Sequence, residues 1–414
     1  MKNQRELDLQ FVLGPCLIAT RGPIADAALL TFERARDLCE RLQEPPEHLN
    51  VLYWLAVMRG VRGELREADV ATSAGIDLAK MRGDQPALIN FLRGSALALI
   101  LMGRPGDALA RTEEAVAAFN ASDDRIRIAS RAAGQDAGVA GQAVMAWSLW
   151  FVGYPDQAEK QMTAALGRAD EIAHPRTQAY GLYYASILSI LRGEFISARL
   201  HAERCLSLSE THGFGLWHNL ARIVCGICIN LLDPSSAKLE ELRAELDDHA
   251  HRGQRMGITV LYALLCRVLL QRRRPDAVLA AVDAAQKIGR ETGELLFEGD
   301  LYRVKARALL IEGPPDARLK AQPLLEQALA VARSQNARSI ELLVARDLAD
   351  LLSQKGVRTR ARDLLASIYG WFTEGFETAR SEEDEGSSGR VLLSRILTDI
   401  QAQGVSQTCN GLFA

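Results

Sequence analysis

Cys225 and Cys228 stand three apart in Cys225-Gly226-Ile227-Cys228, the spacing at which two thiols form a redox pair or supply half of a zinc site. Neither chemistry finds its surroundings here. The run from Ile223 to Leu232 is apolar, there is no second C-x-x-C, and no strand–helix–strand pattern encloses it. The pair reads as buried structural thiols. His212 and His218 flank an aromatic segment, and His249 and His251 sit two apart, a spacing that aims helical side chains in different directions. Zinc needs three or four converging ligands, so these read as surface or interhelix histidines. The stretch from Gly134 to Gly141 has the glycine content of an anion cradle but no Lys and no preceding strand, which leaves a loop. Ser387, in Gly386-Ser387-Ser388-Gly389, lacks the Gly-x-Ser-x-Gly elbow and any paired His. No Gly-x-x-x-x-Gly-Lys-Ser/Thr phosphate loop occurs. The sequence therefore assigns no catalytic residue, no cofactor and no metal, and the chain reads as a non-enzyme.

The elements behind these residues are helical. Of 414 residues 48% are hydrophobic and only 6% aromatic, with Ala and Leu dominant, a bias toward helices packed through small side chains. With 49 basic and 52 acidic residues the net charge is −3, so no positive field exists for nucleic acid or an anionic membrane. Seven scattered cysteines are no disulfide framework, which points to a reducing cytoplasm. The charged start of the chain has no apolar core behind it, and apolar stretches such as Ala96 to Met102 are far shorter than the roughly 20 residues that span a bilayer. A soluble, cytoplasmic chain is expected.

Turn signals recur along the chain: Gly22-Pro23, Gly63, Gly103-Arg104-Pro105, Gly153-Tyr154-Pro155, Gly193, Asp233-Pro234, Arg274-Pro275, Gly313-Pro314 and Gly356. An alanine follows each: Ala27, Ala68, Ala108, Ala158, Ala198, Ala237, Ala277, Ala317 and Ala361. Their intervals run from 39 to 44 residues, with one of 50. Each period reads as two amphipathic helices joined by the turn. Seven residues before the Gly stand Ala56, Ala96, Ala146, Ser186 and Ala349; twelve after it stand Gly75, Ala115, Ala165 and Cys205. Small side chains there allow close helix approach. This pattern resembles the tetratricopeptide repeat (TPR), with a period near 40 instead of 34. The expected fold is all-α, a TPR-like right-handed solenoid of about nine helix pairs over residues 1–378. The long interval holds an insertion at about 122–142, expected to be a loop or a distorted helix start. An acidic, Gly/Ser-rich linker follows at 379–390, then a last helix and tail at 391–414.

Two blocks carry a narrower resemblance. One runs from Gly134-Gln135-Asp136-Ala137-Gly138-Val139 to Trp147-Ser148-Leu149-Trp150-Phe151-Val152-Gly153-Tyr154-Pro155-Asp156-Gln157-Ala158; the other is Ile368-Tyr369-Gly370-Trp371-Phe372-Thr373-Glu374-Gly375-Phe376-Glu377-Thr378. With the segment Ser209 to Trp217, they are similar to the C-terminal TPR region of bacterial class III adenylate/guanylate cyclases, or of winged-helix regulators, fused to an AAA-type ATPase of the signal-transduction (STAND) kind. The resemblance implies a non-catalytic interaction or effector-sensing module for a protein or peptide partner, such as a cyclase or ATPase domain, or for a small-molecule effector. The sensor or oligomerisation region of a transcriptional regulator is the alternative, and a stand-alone enzyme the competing class.

In TPR arrays the first helix of each pair lines the concave face, at offsets of about −13, −10, −6 and −3 from the turn Gly. On this chain those offsets give Asn50 and Tyr53, Asn90 and Arg93, Trp147 and Trp150, and Tyr180 and Tyr183. Aromatic and amide side chains with one Arg suit a peptide- or ligand-reading groove. The competing role for Trp147 and Trp150 is interhelix packing.

Overall fold

A computed structural model describes residues 2–375, apart from 23, 44, 132, 133, 312, 314 and 315. The linker expected at 379–390 and the helix expected at 391–414 lie outside the described residues. Among those described there are nineteen helices and no strands. Eighteen of them form nine pairs. The first four are α1 (Lys2–Arg21) with α2 (Asp26–Arg41), α3 (His48–Arg62) with α4 (Leu65–Arg82), α5 (Gln85–Leu101) with α6 (Pro105–Asn120), and α8 (Ala137–Val152) with α9 (Pro155–Ile172). Next come α10 (Pro175–Arg192) with α11 (Phe195–His212) and α12 (Gly215–Leu232) with α13 (Leu239–His251). The last three are α14 (Ile258–Gln271) with α15 (Pro275–Thr292), α16 (Glu298–Leu310) with α17 (Ala317–Ser334), and α18 (Arg338–Gln354) with α19 (Arg358–Tyr369). The unpaired helix, α7 (Asp124–Ser130), occupies the long interval, so the span 122–142 contains a short helix and the start of α8. The fold is an all-α, TPR-like solenoid.

The turns explain the periodicity. Gly153 ends α8 in the left-handed region (φ 98°), the Tyr154 N–H bonds back to the Leu149 carbonyl at 2.8 Å, and Pro155 opens α9. Of the repeated alanines, Ala68, Ala108, Ala158, Ala198, Ala317 and Ala361 are buried between helices. Three depart from the expected register. Ala28, not Ala27, is packed in the first pair. The left-handed residue after α14 is Arg273 (φ 52°), so five residues on stands Val278, which is fully buried, and Ala277 is only half-buried. Ala237 is exposed in the loop before α13, where Leu239 and Leu242 pack instead. The small residues flanking the turns are all buried. Gly75 shows why one must be small: a Cβ there would lie 2.3 Å from the Phe91 ring.

Each first helix from α3 onward touches the first helix of the next pair, so α3, α5, α8, α10, α12, α14, α16 and α18 form the inner wall. Among the described residues, α12 has the length and composition of a membrane span; half of it is buried, packed among α10, α11, α13 and α14.

The coil also closes on itself. The Arg255 N–H bonds to the Val61 carbonyl (2.8 Å), the Leu295 N–H to the Leu101 carbonyl (2.9 Å), and the Ser339 hydroxyl to the Trp150 carbonyl. The ends of α3, α5 and α8 thus receive, in order, the junctions before α14 and α16 and the first turn of α18. Phe151 meets Phe297 edge-on at 5.4 Å. Trp371 lies against Tyr154 (5.4 Å) and under the Arg338 guanidinium (5.2 Å). Glu374 caps α9, accepting from the Asp156 and Gln157 amides at 2.9 and 3.1 Å. The two blocks singled out in the sequence are therefore neighbours in space.

Candidate functional site

Asn50, Tyr53 and Asn90 line one open cleft of about 260 Å³ between α3, α5 and the end of α7, with Trp54 and Phe91 in its wall. Asn50 is exposed and Tyr53 half-buried, while Asn90 is buried. The Asn90 amide donates to the Ser130 and Pro86 carbonyls at 3.0 and 3.2 Å, and its Oδ1 accepts from no donor.

One helical turn further along α5 stands Arg93, 6% exposed. Its charge acts on the phenols of Tyr53 from α3 and of Tyr180 and Tyr184 from α10. Side chains from α5 and α10 meet because the intervening α8 carries only Ala140 and Ala143 at the same two offsets, both fully buried. Tyr180 stacks on Tyr184 at 4.6 Å, and Trp147 lies 4.7 Å from Tyr184 with its Nε1 donating to the Tyr184 carbonyl at 3.0 Å. Trp217 closes the cluster against Tyr180 and Tyr183, at 5.5 and 5.7 Å. Burial pushes all four phenols up, and for Tyr53, Tyr180 and Tyr184 the Arg93 charge works against that rise. The tyrosines therefore stay neutral hydrogen-bonding groups. Arg176, exposed at the lip, adds a second positive charge near Tyr53.

Of the eight residues expected on the concave face, Asn50, Tyr53 and Asn90 line this cleft, and Arg93, Trp147, Tyr180 and Tyr183 pack in a buried, mainly aromatic cluster beside it. Trp150 stands apart. It is fully buried beneath the closing coil, edge-on to Phe151 at 5.0 Å, and its role is packing.

Sequence reasoning passed over the later half of the inner wall, where the same register continues. Offset −10 from Gly313 and Gly356 is Arg303 and Arg346; offset −13 from Gly313 is Asp300. Arg303 pairs with Asp300 at 2.7 Å and with Asp347 at 2.9 Å, Arg346 pairs with Asp347 at 2.8 Å, and Arg267 reaches Asp300 at 3.6 Å. Burial pushes both carboxyls up, but the arginines outweigh it and hold them below the usual range. Applying the offsets to every turn would have found most of this network. Tyr184 and Trp217 lie off the register and had no such signal.

Cys225 and Cys228 are buried free thiols, and burial lifts the Cys225 thiol to about 12, far from a reactive value. His249 is buried and held below the ordinary histidine range, first by burial and then by Arg252, while His212 and His251 are exposed on separate elements. No group of three or more His, Cys, Asp or Glu side chains suited to a metal ion occurs among the described residues. The glycine-containing insertion, expected to be a loop or a distorted helix start, includes the start of α8: Asp136 caps that helix and pairs with Arg168 and Arg131 at 2.8 and 3.1 Å.

No family model and no curated protein matches this chain. Several solved structures are similar in fold. A Rap protein complexed with competence and sporulation factor is 12% identical, with 89% of this chain and 98% of that chain covered and a TM-score of 0.44. A STAND protein with a tetratricopeptide repeat sensor from Pyrococcus horikoshii is 11% identical with a TM-score of 0.42; 85% of this chain covers 54% of that one. Yeast Tom70 is 13% identical, with 99% and 97% covered and a TM-score of 0.26. These likenesses concern the helical-repeat fold alone.

Proposed function

We propose that the chain is a non-catalytic interaction or effector-sensing module that reads a peptide or small effector on its inner wall. The observation that carries this is the convergence of Tyr53, Arg93 and Tyr180 from three separate helices in one polar-aromatic cluster, beside a cleft lined by Asn50 and Asn90. A wall built only for packing would be apolar, since polar groups are costly to bury without partners. Repeat arrays present such extended concave surfaces for binding. In its finer form the reading is the cytoplasmic regulatory portion of a bacterial cyclase/ATPase signalling protein, on the strength of the two resembling blocks. A ligand would act by favouring one curvature of the coil over another.

The test is genetic and biochemical. The reading frame adjoining the Met1 codon is sequenced, its product is purified with this chain, and ATP hydrolysis is measured with and without it. A nucleotide-binding ATPase or cyclase whose rate this chain changes is the expected result. An unrelated neighbour, or ATP hydrolysis by this chain alone, would overturn the reading.

A further inference from the structure

We propose that Arg93 is an anion-recognition residue, and that the effector presents an oxyanion, carboxylate or phosphate, which enters through the cleft beside Tyr53. The proposal rests on reading the inner wall as a ligand site and names the chemistry of what binds there.

Three arginines are buried among the described residues: Arg93, Arg192 and Arg303. Arg192 meets Glu159 and Glu194 at 2.6 and 2.8 Å, and Arg303 meets Asp300 and Asp347. Arg93 pairs with no Asp or Glu among the described residues; its neighbours are neutral phenols. A buried guanidinium is always charged, so it calls for a counter-ion. The Arg93 Nε has no acceptor, and the Tyr180 hydroxyl, although the Arg93 and Tyr184 side chains lie close to it, makes no well-aligned hydrogen bond. Both can donate, and an oxyanion accepts from both at once. One turn away the free Asn90 Oδ1 is an acceptor, suited to an N–H on the same ligand. Arg176 at the lip adds attraction for an incoming negative charge. Elsewhere on the inner wall Arg303, Arg346 and Arg267 face the carboxylates of Asp300 and Asp347, whereas Arg93 faces no carboxylate among the described residues.

The full chain is compared with Arg93→Met and Tyr180→Phe in chloride buffer, then titrated separately with sodium phosphate and sodium acetate at constant ionic strength. Thermal unfolding and intrinsic tryptophan fluorescence are followed, the latter reporting through Trp147 and Trp217. Without an anion, Arg93→Met is expected to unfold at a higher temperature than the native chain, because an unpaired charge is gone. Phosphate or acetate is expected to give a saturable fluorescence change that Arg93→Met weakens by roughly tenfold or more and Tyr180→Phe by a few-fold. Preference for one probe identifies the oxyanion. A lower unfolding temperature for Arg93→Met, with no saturable change from either anion in the native chain, would make Arg93 a structural residue. If Arg93→Met does not fold, unaltered anion response in Tyr180→Phe overturns the proposal. The titration needs no partner protein, so its failure is distinct from failure of the cyclase/ATPase assignment.

Discussion

At the scale of single residues, burial separates side chains that the repeat register treats alike. Trp147 and Trp150 sit one turn apart on α8, yet Trp147 borders the tyrosine cluster while Trp150 is sealed under α18. Trp150→Ala should cost about 3–5 kcal/mol in urea unfolding, the range for a large aromatic removed from a core. Ala108→Leu should cost about 1–3 kcal/mol by overpacking α5 against α6, where Ala108 is fully buried; unchanged unfolding would sink the register. Asp347→Asn leaves Arg303 and Arg346 short of a counter-ion, with an expected loss of about 3–5 kcal/mol. Asp300 and Asp347 titrate lower folded than unfolded, so their stabilisation is complete above the unfolded value of about 3.9 and disappears as pH falls through their lowered folded values. Urea midpoints measured from pH 6 downward should therefore decline more gently in Asp347→Asn than in the native chain. Which residues share the inner wall was legible because offset from a turn fixes which way a helical side chain points. Trp150 was not, because what covers it arrives from 189 residues further along.

At the scale of elements, the turns made the helix pairs readable. A left-handed glycine, a proline opening the next helix and an alanine five residues on are local requirements, and local requirements show in sequence. The register slipped where the turn changed its chemistry: Arg273 replaces glycine after α14, and the loop between α12 and α13 has no left-handed residue. The clasp formed by Trp371 and Glu374 on α9 is a pairing between distant elements, and its two blocks were visible only as separate motifs. Glu374→Ala should uncap α9 at a cost of about 1 kcal/mol. Hydrogen exchange should find the Asp156 and Gln157 amides exchanging faster in that variant, with the α3 amides unaffected. Equal protection at both places would mean that solvent caps α9 just as well.

At the scale of the whole molecule, the array is more than a row of neighbours. Ordinary solenoids couple only adjacent repeats, so their stability is a sum of local terms. Here the ends of α3, α5 and α8 each hold a junction or helix start several pairs further on. Contact between successive coils ties distant pairs into one unit, so urea unfolding followed by tryptophan fluorescence and by circular dichroism should give coincident curves. Trp371→Ala should separate the two curves and enlarge the radius of gyration in small-angle scattering. Composition and period announced a solenoid; how tightly it winds depends on which loops meet which turns, and no short-range pattern encodes that.

The seam between the two windings has a mechanical consequence. Drawn apart by its ends, an open chain of hairpins would pay out one rung after another at modest force. Stitched across its waist, this molecule should resist as a stiff spring until the seam parts, then lengthen in a single large step, and whatever had been held inside would be released at that instant.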